Sequence, residues 1–164
     1  MRLLLLVPAI LAMTASGAMA APDYAKRAAP ITPAIRAQLM GRWTNPVDNL
    51  VIDIQSVDST TGEVKGLEWP TEPTRPDSSP AGTEHVITGW VSAAPSRDGF
   101  DNVTPVTLTS SLHEYGTLPV WAGYLKDGKI VTMHYLVWPN RSYSWDHISA
   151  FQETWTKLPP ERGR

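Results

Sequence analysis

The stretch 128–158 constrains the fold of this chain most, because it reads as two β-strands joined by a short loop. The first strand, Lys129–Trp138, is a nearly unbroken run of apolar and aromatic residues. The second, Ile148–Leu158, alternates with a period of two, which places Phe151, Glu153 and Trp155 on the same face. A carboxylate between two aromatic side chains is typical of a barrel rim or a pocket.

Further short strands, separated by turn signals, precede this stretch. Asp127-Gly128 lies between two apolar runs and favours a type I′ hairpin, in which both central residues have positive φ. Successive hairpins without an intervening helix predict an all-β fold, an eight-stranded antiparallel up-and-down β-barrel wide enough for one small ligand. An open sandwich is the alternative. The eight strand candidates are Gly41–Asn45, Asn49–Ser56, Gly62–Trp69, Glu84–Ser92, Asn102–Ser110, Leu118–Lys126, Lys129–Trp138 and Ile148–Leu158.

The two ends of the chain differ in composition from this central part. Residues 1–20 combine a positive start, an apolar run and a small-residue site, which predicts a secretory signal peptide cleaved after Ala20. We expect residues 21–40 to form a loose N-terminal segment with one or two helical turns over Pro33–Met40, residues 41–158 the barrel domain, and residues 159–164 a polar tail. The protein is therefore expected to be secreted or periplasmic, with no membrane span, because the apolar run is too short to cross a bilayer.

Composition and motifs argue against several classes of function. The net charge is −2 with no basic patch, so neither nucleic acid nor an anionic membrane is an expected partner. The chain has no cysteine and its four histidines lack metal-ligand spacing, so we expect no metal site and no cofactor. Glu68 and Glu153 are the one carboxylate pair that glycoside hydrolysis would need, but two independent acids explain them as well. We therefore expect a binding protein rather than an enzyme.

Two connections, 93–101 and the longer 70–83, exceed a simple turn. The proline-rich segment 70–83 joins the third and fourth strand candidates at one mouth of the predicted barrel. Connections of this length in compact domains are usually lids, binding loops or disordered segments. We expect this segment to be a lid.

The order and spacing of several motifs between Gly41 and Leu158 resemble those of the avidin/streptavidin family. The family opening Gly-x-Trp-x-Asn has its counterpart in Gly41, Trp43 and Asn45, and the closing Trp followed eight residues later by an acid has its counterpart in Trp145 and Glu153. No single motif is strong, and the resemblance rests on their sequence order. The intervening matches are Lys65-Gly66-Leu67-Glu68, Ile87-Thr88-Gly89-Trp90-Val91-Ser92, Trp121-Ala122-Gly123-Tyr124, Tyr135-Leu136-Val137 and Trp155-Thr156-Lys157.

The resemblance implies the same eight-stranded barrel, with biotin held inside one end, and a homodimer or homotetramer. It implies polar contacts to the ligand head, with Asn45 and Asn49 as donors and Glu153 as acceptor. It further implies aromatic walls, and one of these reaches into the site of a neighbouring subunit. The walls are Trp121, Tyr135 and, across the subunit boundary, Trp145.

The resemblance also has departures. Glu68 stands where the family has a tyrosine hydroxyl, although a shift of one residue would place Trp69 there instead. Pro119 stands where the family has a threonine, and a tryptophan wall is missing near Thr109 or Ser110. We therefore expect an exported barrel that binds biotin with reduced affinity. The alternatives are a barrel for another small ligand, with N–H donors or a cationic group, and a structural or partner-binding barrel with a closed interior.

Overall fold

The computed structural model describes residues 29–73, 79–94, 96–112 and 116–160. The predicted signal peptide, the start of the N-terminal segment, part of the predicted lid and most of the polar tail lie outside these residues. A 3₁₀ turn, Ser144–His147, precedes the last strand. The remaining elements are α1 (Pro33–Leu39), β1 (Gly41–Asn45), β2 (Leu50–Val57), β3 (Glu63–Pro70), β4 (His85–Val91), β5 (Thr104–Ser110), β6 (Leu118–Lys126), β7 (Lys129–Val137) and β8 (Ile148–Lys157).

The eight strands form a closed antiparallel barrel in which each strand pairs with its neighbours in sequence. The barrel closes where Trp43 and Thr44 of β1 pair with Lys157 and Thr156 of β8. The predicted all-β fold and its up-and-down order are thus confirmed, and each strand begins and ends within two residues of its predicted bounds. The segment 71–84, which contains the predicted lid, joins β3 to β4.

The hairpin between β6 and β7 has the predicted turn. Asp127 and Gly128 both have positive φ, 49° and 72°, as a type I′ turn requires. The turn sets Lys126 opposite Lys129 and Trp121 opposite His134. This register decides which residues of β7 face the interior.

Glycines in the strands allow neighbouring strands of the barrel to approach each other closely. A Cβ atom at Gly123 would lie 1.9 Å from the Val131 carbonyl oxygen, and one at Gly89 would lie 1.9 Å from the Thr107 carbonyl oxygen. A larger residue at either position would force neighbouring strands apart.

One end of the barrel is filled with apolar side chains. Among the largest fully buried residues are Trp43, Trp155 and Ile54. The Trp155 Nε1–H donates to Thr132 Oγ1 at 3.1 Å, so the indole nitrogen is satisfied inside the core. This end of the barrel is packed, so any ligand enters from the other.

Helix α1 covers the packed end. Thr32 caps its start by accepting from the Ile35 N–H at 3.2 Å, and Leu39 is fully buried. The Trp43 Nε1–H donates to the Leu39 carbonyl at 2.7 Å, and Lys157 Nζ donates to two carbonyls of the last turn. Residues 29–40 are therefore packed against the barrel, where the sequence suggested a loose segment. None of the helices in the described ranges is long and apolar enough to span a bilayer.

Candidate functional site

The opposite end of the barrel is lined by buried polar side chains. They come from the last inward position of β1, β3 and β5, the first inward position of β4, and the adjoining inward positions of β7 and β8. We call this group the polar end. Its members are Asn45, Glu68, His85, Ser110, His134 and Glu153, together with Ser79 of the β3–β4 connection and Thr117 just before β6. The barrel thus has one apolar end and one polar end.

Glu153 lies at the centre of a hydrogen-bonded group inside the polar end. Its Oε2 accepts from the Trp121 Nε1–H at 3.1 Å, and its Oε1 lies 2.7 Å from His134 Nδ1. The carboxyl is 4% exposed. Burial raises the pKa of Glu153, whereas hydrogen bonds, including that of Trp121, lower it. Burial also lowers the pKa of His134 to about 4, which keeps its imidazole neutral at pH 7.

Asp48 joins this group from the β1–β2 connection, a residue that the sequence analysis missed. The Asn45 side chain accepts from the Val47 N–H at 3.0 Å and donates to Asp48 Oδ2 at 2.9 Å, which forms a tight Asx turn over the barrel mouth. Polar atoms of Asp48, His134 and Glu153 all lie within 4.8 Å of one another. Burial, with a further contribution from Glu153, raises the pKa of Asp48 to about 7. The Asn-Pro-x-Asp pattern of residues 45–48 is the sequence signal for this turn.

Glu68 forms the other side of the polar end. It is 3% exposed, and its Oε1 has no hydrogen-bond partner in the part of the chain that the structure describes. The same holds for the Ser110 hydroxyl. Burial raises the pKa of Glu68 to about 7, Ser110 opposes this shift, and the Glu153 carboxyl adds to it. Nearby, Ser79 Oγ lies 3.1 Å from His85 Nε2, which ties the β3–β4 connection to the barrel.

Aromatic rings form a wall beside these carboxyls. The Trp121 indole stacks on the His134 imidazole with their centroids 4.8 Å apart. Phe151 contacts the same imidazole edge-on at 4.6 Å. A flat surface next to buried hydrogen-bonding groups is the arrangement that small-molecule sites use.

Comparisons with solved structures return the same architecture. Core-bradavidin is 25% identical over 70% of this chain and 96% of its own, with a TM-score of 0.56. Bradavidin is 24% identical over 72% of this chain and 79% of its own, with a TM-score of 0.59. A biotin-binding protein from chicken is 15% identical over 75% of this chain and 99% of its own, with a TM-score of 0.58. The chain is avidin-like. No protein-family model matches it, and no curated protein matches it by sequence.

Within this avidin-like barrel, Tyr135 does not reach the polar end. Alternation along β7 places His134 inside and Tyr135 on the outer face, 39% exposed. The wall position opposite Trp121 is therefore filled by His134. Moving by one residue along a strand changes the face on which the side chain lies. The inward residue of β7 is therefore His134, one position before the Tyr135 that the resemblance indicated.

The register of β3 in the avidin-like barrel decides whether Glu68 or Trp69 lies inside. Glu68 is buried opposite Ile52 of β2 and His85 of β4, whereas Trp69 is half-buried on the alternate face. The suggested shift of one residue does not occur. The carboxylate, and not the indole, faces the interior.

Asn49 and Trp145 both lie in connections at the mouth of the avidin-like barrel. Asn49 has a φ of 52°, and its carbonyl accepts from the Thr71 N–H at 2.6 Å, so its backbone links the β1–β2 and β3–β4 connections. Trp145 is 73% exposed and stacks on Tyr143 with centroids 4.8 Å apart. Neither side chain belongs to the buried group around Glu153.

Two further departures keep the positions that the sequence assigned to them. Pro119 is buried on the inner face of β6 and contributes no donor. Ser110 is the inward residue on β5, so it stands where a tryptophan wall is missing. Thr109 faces away, and its hydroxyl donates to the Pro119 carbonyl at 3.0 Å.

Proposed function

We propose that this protein is a non-enzymatic, exported carrier that binds a small N–H-bearing ligand in its polar end, with biotin as the first candidate. One observation carries the proposal: buried hydrogen-bonding groups, some of them without partners in the described residues, are gathered at one end of an avidin-like barrel. A structural barrel with a closed interior has no use for such groups, because each buried polar atom without a partner costs about 1–3 kcal/mol.

Several features of the polar end suit the biotin head. The Glu153 carboxyl is an acceptor for a ureido N–H and is held in place by Trp121. The Ser110 hydroxyl and the second N–H of the Asn45 amide are candidate donors to the ureido oxygen. The stacked rings of Trp121 and His134 offer a wall for the thiophane ring.

The departures from the resemblance favour weaker binding than the family pattern implies. Glu68 brings an acceptor where a donor is expected, and Pro119 brings no donor at all. Losing two donors at about 1–3 kcal/mol each lowers affinity by about two to four decades. We therefore propose that biotin binds here with an affinity lower than the family pattern implies by at least that amount.

A second candidate function rests on the same carboxyls. Three acids, Asp48, Glu68 and Glu153, surround the polar end. They favour a ligand rich in N–H donors, or a cationic one, over a ligand that presents a carbonyl oxygen.

We also propose that the chain assembles as a homodimer or homotetramer. The outer faces of β6 and β7 are largely apolar over paired positions and are continued by Ile148 and Ala150 at the start of β8, and several of these side chains are exposed in the single chain. A contiguous apolar face of this kind is typical of a surface that another protein covers. The exposed Trp145 is proposed as the cap of a neighbouring subunit's site. The exposed members of the outer face include Leu118, Tyr124, Met133, Tyr135, Val137 and Ile148.

Export is proposed from the signal-peptide pattern of residues 1–20, and the protein is then either secreted or periplasmic. N-terminal sequencing of the protein purified from its host tests this directly. A mature chain beginning at Ala21 supports export with cleavage after Ala20, and a retained Met1 in the folded protein contradicts it.

The experiment that tests the ligand is a calorimetric titration of biotin into the purified protein, repeated with Trp121→Phe and Glu153→Gln. Saturation at one biotin per chain, weakened at least tenfold by either substitution, supports the proposal. Tyr135→Phe is the matched control, because its side chain lies on the outer face. Absence of heat at millimolar biotin contradicts biotin as the ligand and leaves the second candidate, and binding that neither substitution weakens contradicts this site.

A further inference from the structure

The geometry points to a cationic head of the guanidinium class, rather than a neutral urea, as the group that the polar end selects. This inference rests on the proposed function and names the chemistry of its ligand. It follows from a count of hydrogen-bond acceptors and donors at the site. A guanidinium has the planar shape of a urea but presents N–H donors on every side and carries a positive charge.

Acceptors dominate the polar end. Asp48 enters from the β1–β2 connection, Glu68 from β3 and Glu153 from β8, so carboxyls approach the interior from three directions. Asp48 and Glu153 have oxygens within 4.8 Å of each other. Glu68 lies close enough for the charge of Glu153 to raise its pKa. A carboxylate accepts hydrogen bonds and donates none, so these groups favour N–H donors.

The donors at the site are already engaged. The Asn45 amide donates to Asp48 at 2.9 Å, and the Trp121 indole donates to Glu153 at 3.1 Å. The His134 Nδ1 contacts Glu153 as well. Apart from the Ser110 hydroxyl, little donor capacity remains among these groups for the carbonyl oxygen of a urea, whereas a guanidinium has no such oxygen to satisfy.

No strong base in the described ranges neutralises these carboxyls. The lysine ion pairs found there join Lys65 to Glu63 and Lys126 to Asp101, both on exposed side chains away from the interior. The ion-pair contact inside the barrel is that of His134 with Glu153, and the imidazole is neutral at pH 7 because burial lowers its pKa to about 4. When these carboxyls are ionised, their charge is therefore left for a ligand to balance.

A second, independent observation points to a ligand. Ser110 is 4% exposed, and its hydroxyl has no hydrogen-bond partner among the described residues. It stands on β5 at the same end of the barrel, near enough to Glu68 to lower the pKa of that carboxyl. A hydroxyl accepts a hydrogen bond as readily as it donates one, so it completes a ring of acceptors around a cationic head.

Ionisation at the site is linked to the charge of the ligand. Burial raises the pKa of both Asp48 and Glu68 to about 7 and raises that of Glu153. A bound cation favours the ionised carboxyls, so its binding releases protons and strengthens as the pH rises through about 7. Among the residues that the structure describes, the other buried titratable groups at this end are His85 and His134. A neutral urea gains hydrogen bonds from the ionised carboxyls but no charge pairing.

The test compares biotin with its guanidino analogue, in which an imino nitrogen replaces the ureido oxygen and the rest of the ligand is unchanged. Both are titrated calorimetrically into the full-length protein at pH 6 and pH 8, with EDTA present because Asp48, His134 and Glu153 also offer ligands for a divalent cation. We expect the analogue to bind at least about tenfold more tightly than biotin at pH 8, and the ratio to fall at pH 6. Equal or tighter binding of biotin at pH 8 overturns the inference and leaves the proposed function standing. If neither compound binds, both fail.

Substitutions of single carboxyls test which of them causes the preference for the guanidino analogue. Glu68→Gln keeps the shape of the side chain and removes its charge, so the preference for the guanidino analogue at pH 8 should fall about tenfold. Glu63→Gln is the matched control, because Glu63 lies on the same strand with its side chain 40% exposed. An unchanged preference in Glu68→Gln, confirmed with Asp48→Asn, overturns the assignment of these carboxyls.

Discussion

Replacing Glu68 by glutamine should make the barrel more stable at alkaline pH while changing its stability little in acid. Glu68 is buried, and burial, assisted by the nearby charge of Glu153, raises its pKa from 4.5 to about 7. In the folded protein the side chain therefore keeps its proton up to about pH 7, whereas in the unfolded chain it loses the proton near pH 4.5. Between these values the folded state binds more protons than the unfolded state, so stability falls as the pH rises.

The size of the effect follows from the separation of the two pKa values. One pH unit of difference corresponds to about 1.4 kcal/mol, so a separation of roughly 2.5 units corresponds to about 3 kcal/mol. Below pH 4.5 the neutral acid and glutamine are nearly equivalent, and the two proteins should have similar free energies of unfolding. Above pH 7 wild type carries a buried charge and the variant does not, so Glu68→Gln should be more stable by about 3 kcal/mol.

Urea unfolding followed by tryptophan fluorescence at pH 4.5, 6 and 8 measures this difference. Glu63→Gln, on the exposed part of the same strand, is measured in parallel to correct for the loss of one acid. The quantity compared is the change in the free energy of unfolding between variant and wild type at each pH. A difference that does not grow from pH 4.5 to pH 8, or that equals that of Glu63→Gln, refutes the claim that Glu68 is a buried acid.

Three further substitutions test other parts of the structure. Thr132→Val leaves the Trp155 indole nitrogen without its acceptor and should lower the free energy of unfolding by about 1–3 kcal/mol, measured by urea unfolding; a neutral result contradicts the buried hydrogen bond. Gly123→Ala puts a methyl group where the strands meet and should cost more than about 2 kcal/mol or prevent folding, as circular dichroism and thermal melts will show; a wild-type melting temperature would contradict the close approach. Tyr135→Ser should lower the mass measured by light scattering without changing ligand affinity, because this side chain lies on the outer face. Reduced ligand affinity in a variant whose oligomer is unaltered would indicate that Tyr135 belongs to the site after all.

The barrel could be predicted from the sequence because its signals are local. Strand length, turn residues and the Asp127-Gly128 pair are each visible within a few residues, and in an up-and-down meander local pairing determines nearly the whole topology. Glu153 and Phe151 could be placed on one face because β8 alternates clearly. The burial of Glu153 follows from that alternation once the barrel closes, whereas Phe151, nearer the mouth, stays partly exposed.

The sequence did not predict the site residues that the alternation of apolar and polar residues along a strand cannot place. Strand β7 does not alternate cleanly between apolar and polar residues, because its outer face is largely apolar and its inner face mixes apolar side chains with Thr132 and His134. Period two therefore could not decide between His134 and Tyr135. The family resemblance then favoured Tyr135, because the family pattern has an aromatic residue in this strand. Asp48 was missed for a different reason: it reaches the polar end through a turn, and its position depends on the Asn45 side chain.

The closure between β1 and β8 differs from every other junction in the barrel, because its partners are far apart in sequence. Its register pairs cover Trp43–Thr44 and Thr156–Lys157, and α1 adds hydrogen bonds across it from Trp43 and Lys157. All other junctions can form as local hairpins, whereas this one must wait for the whole meander, so it should close last during folding. In the native protein the same junction should be the first to open, with amide hydrogen exchange fastest along β1. Helix α1 holds this junction closed. Its removal should speed amide hydrogen exchange along β1, while the amides of hairpins far from the junction stay protected.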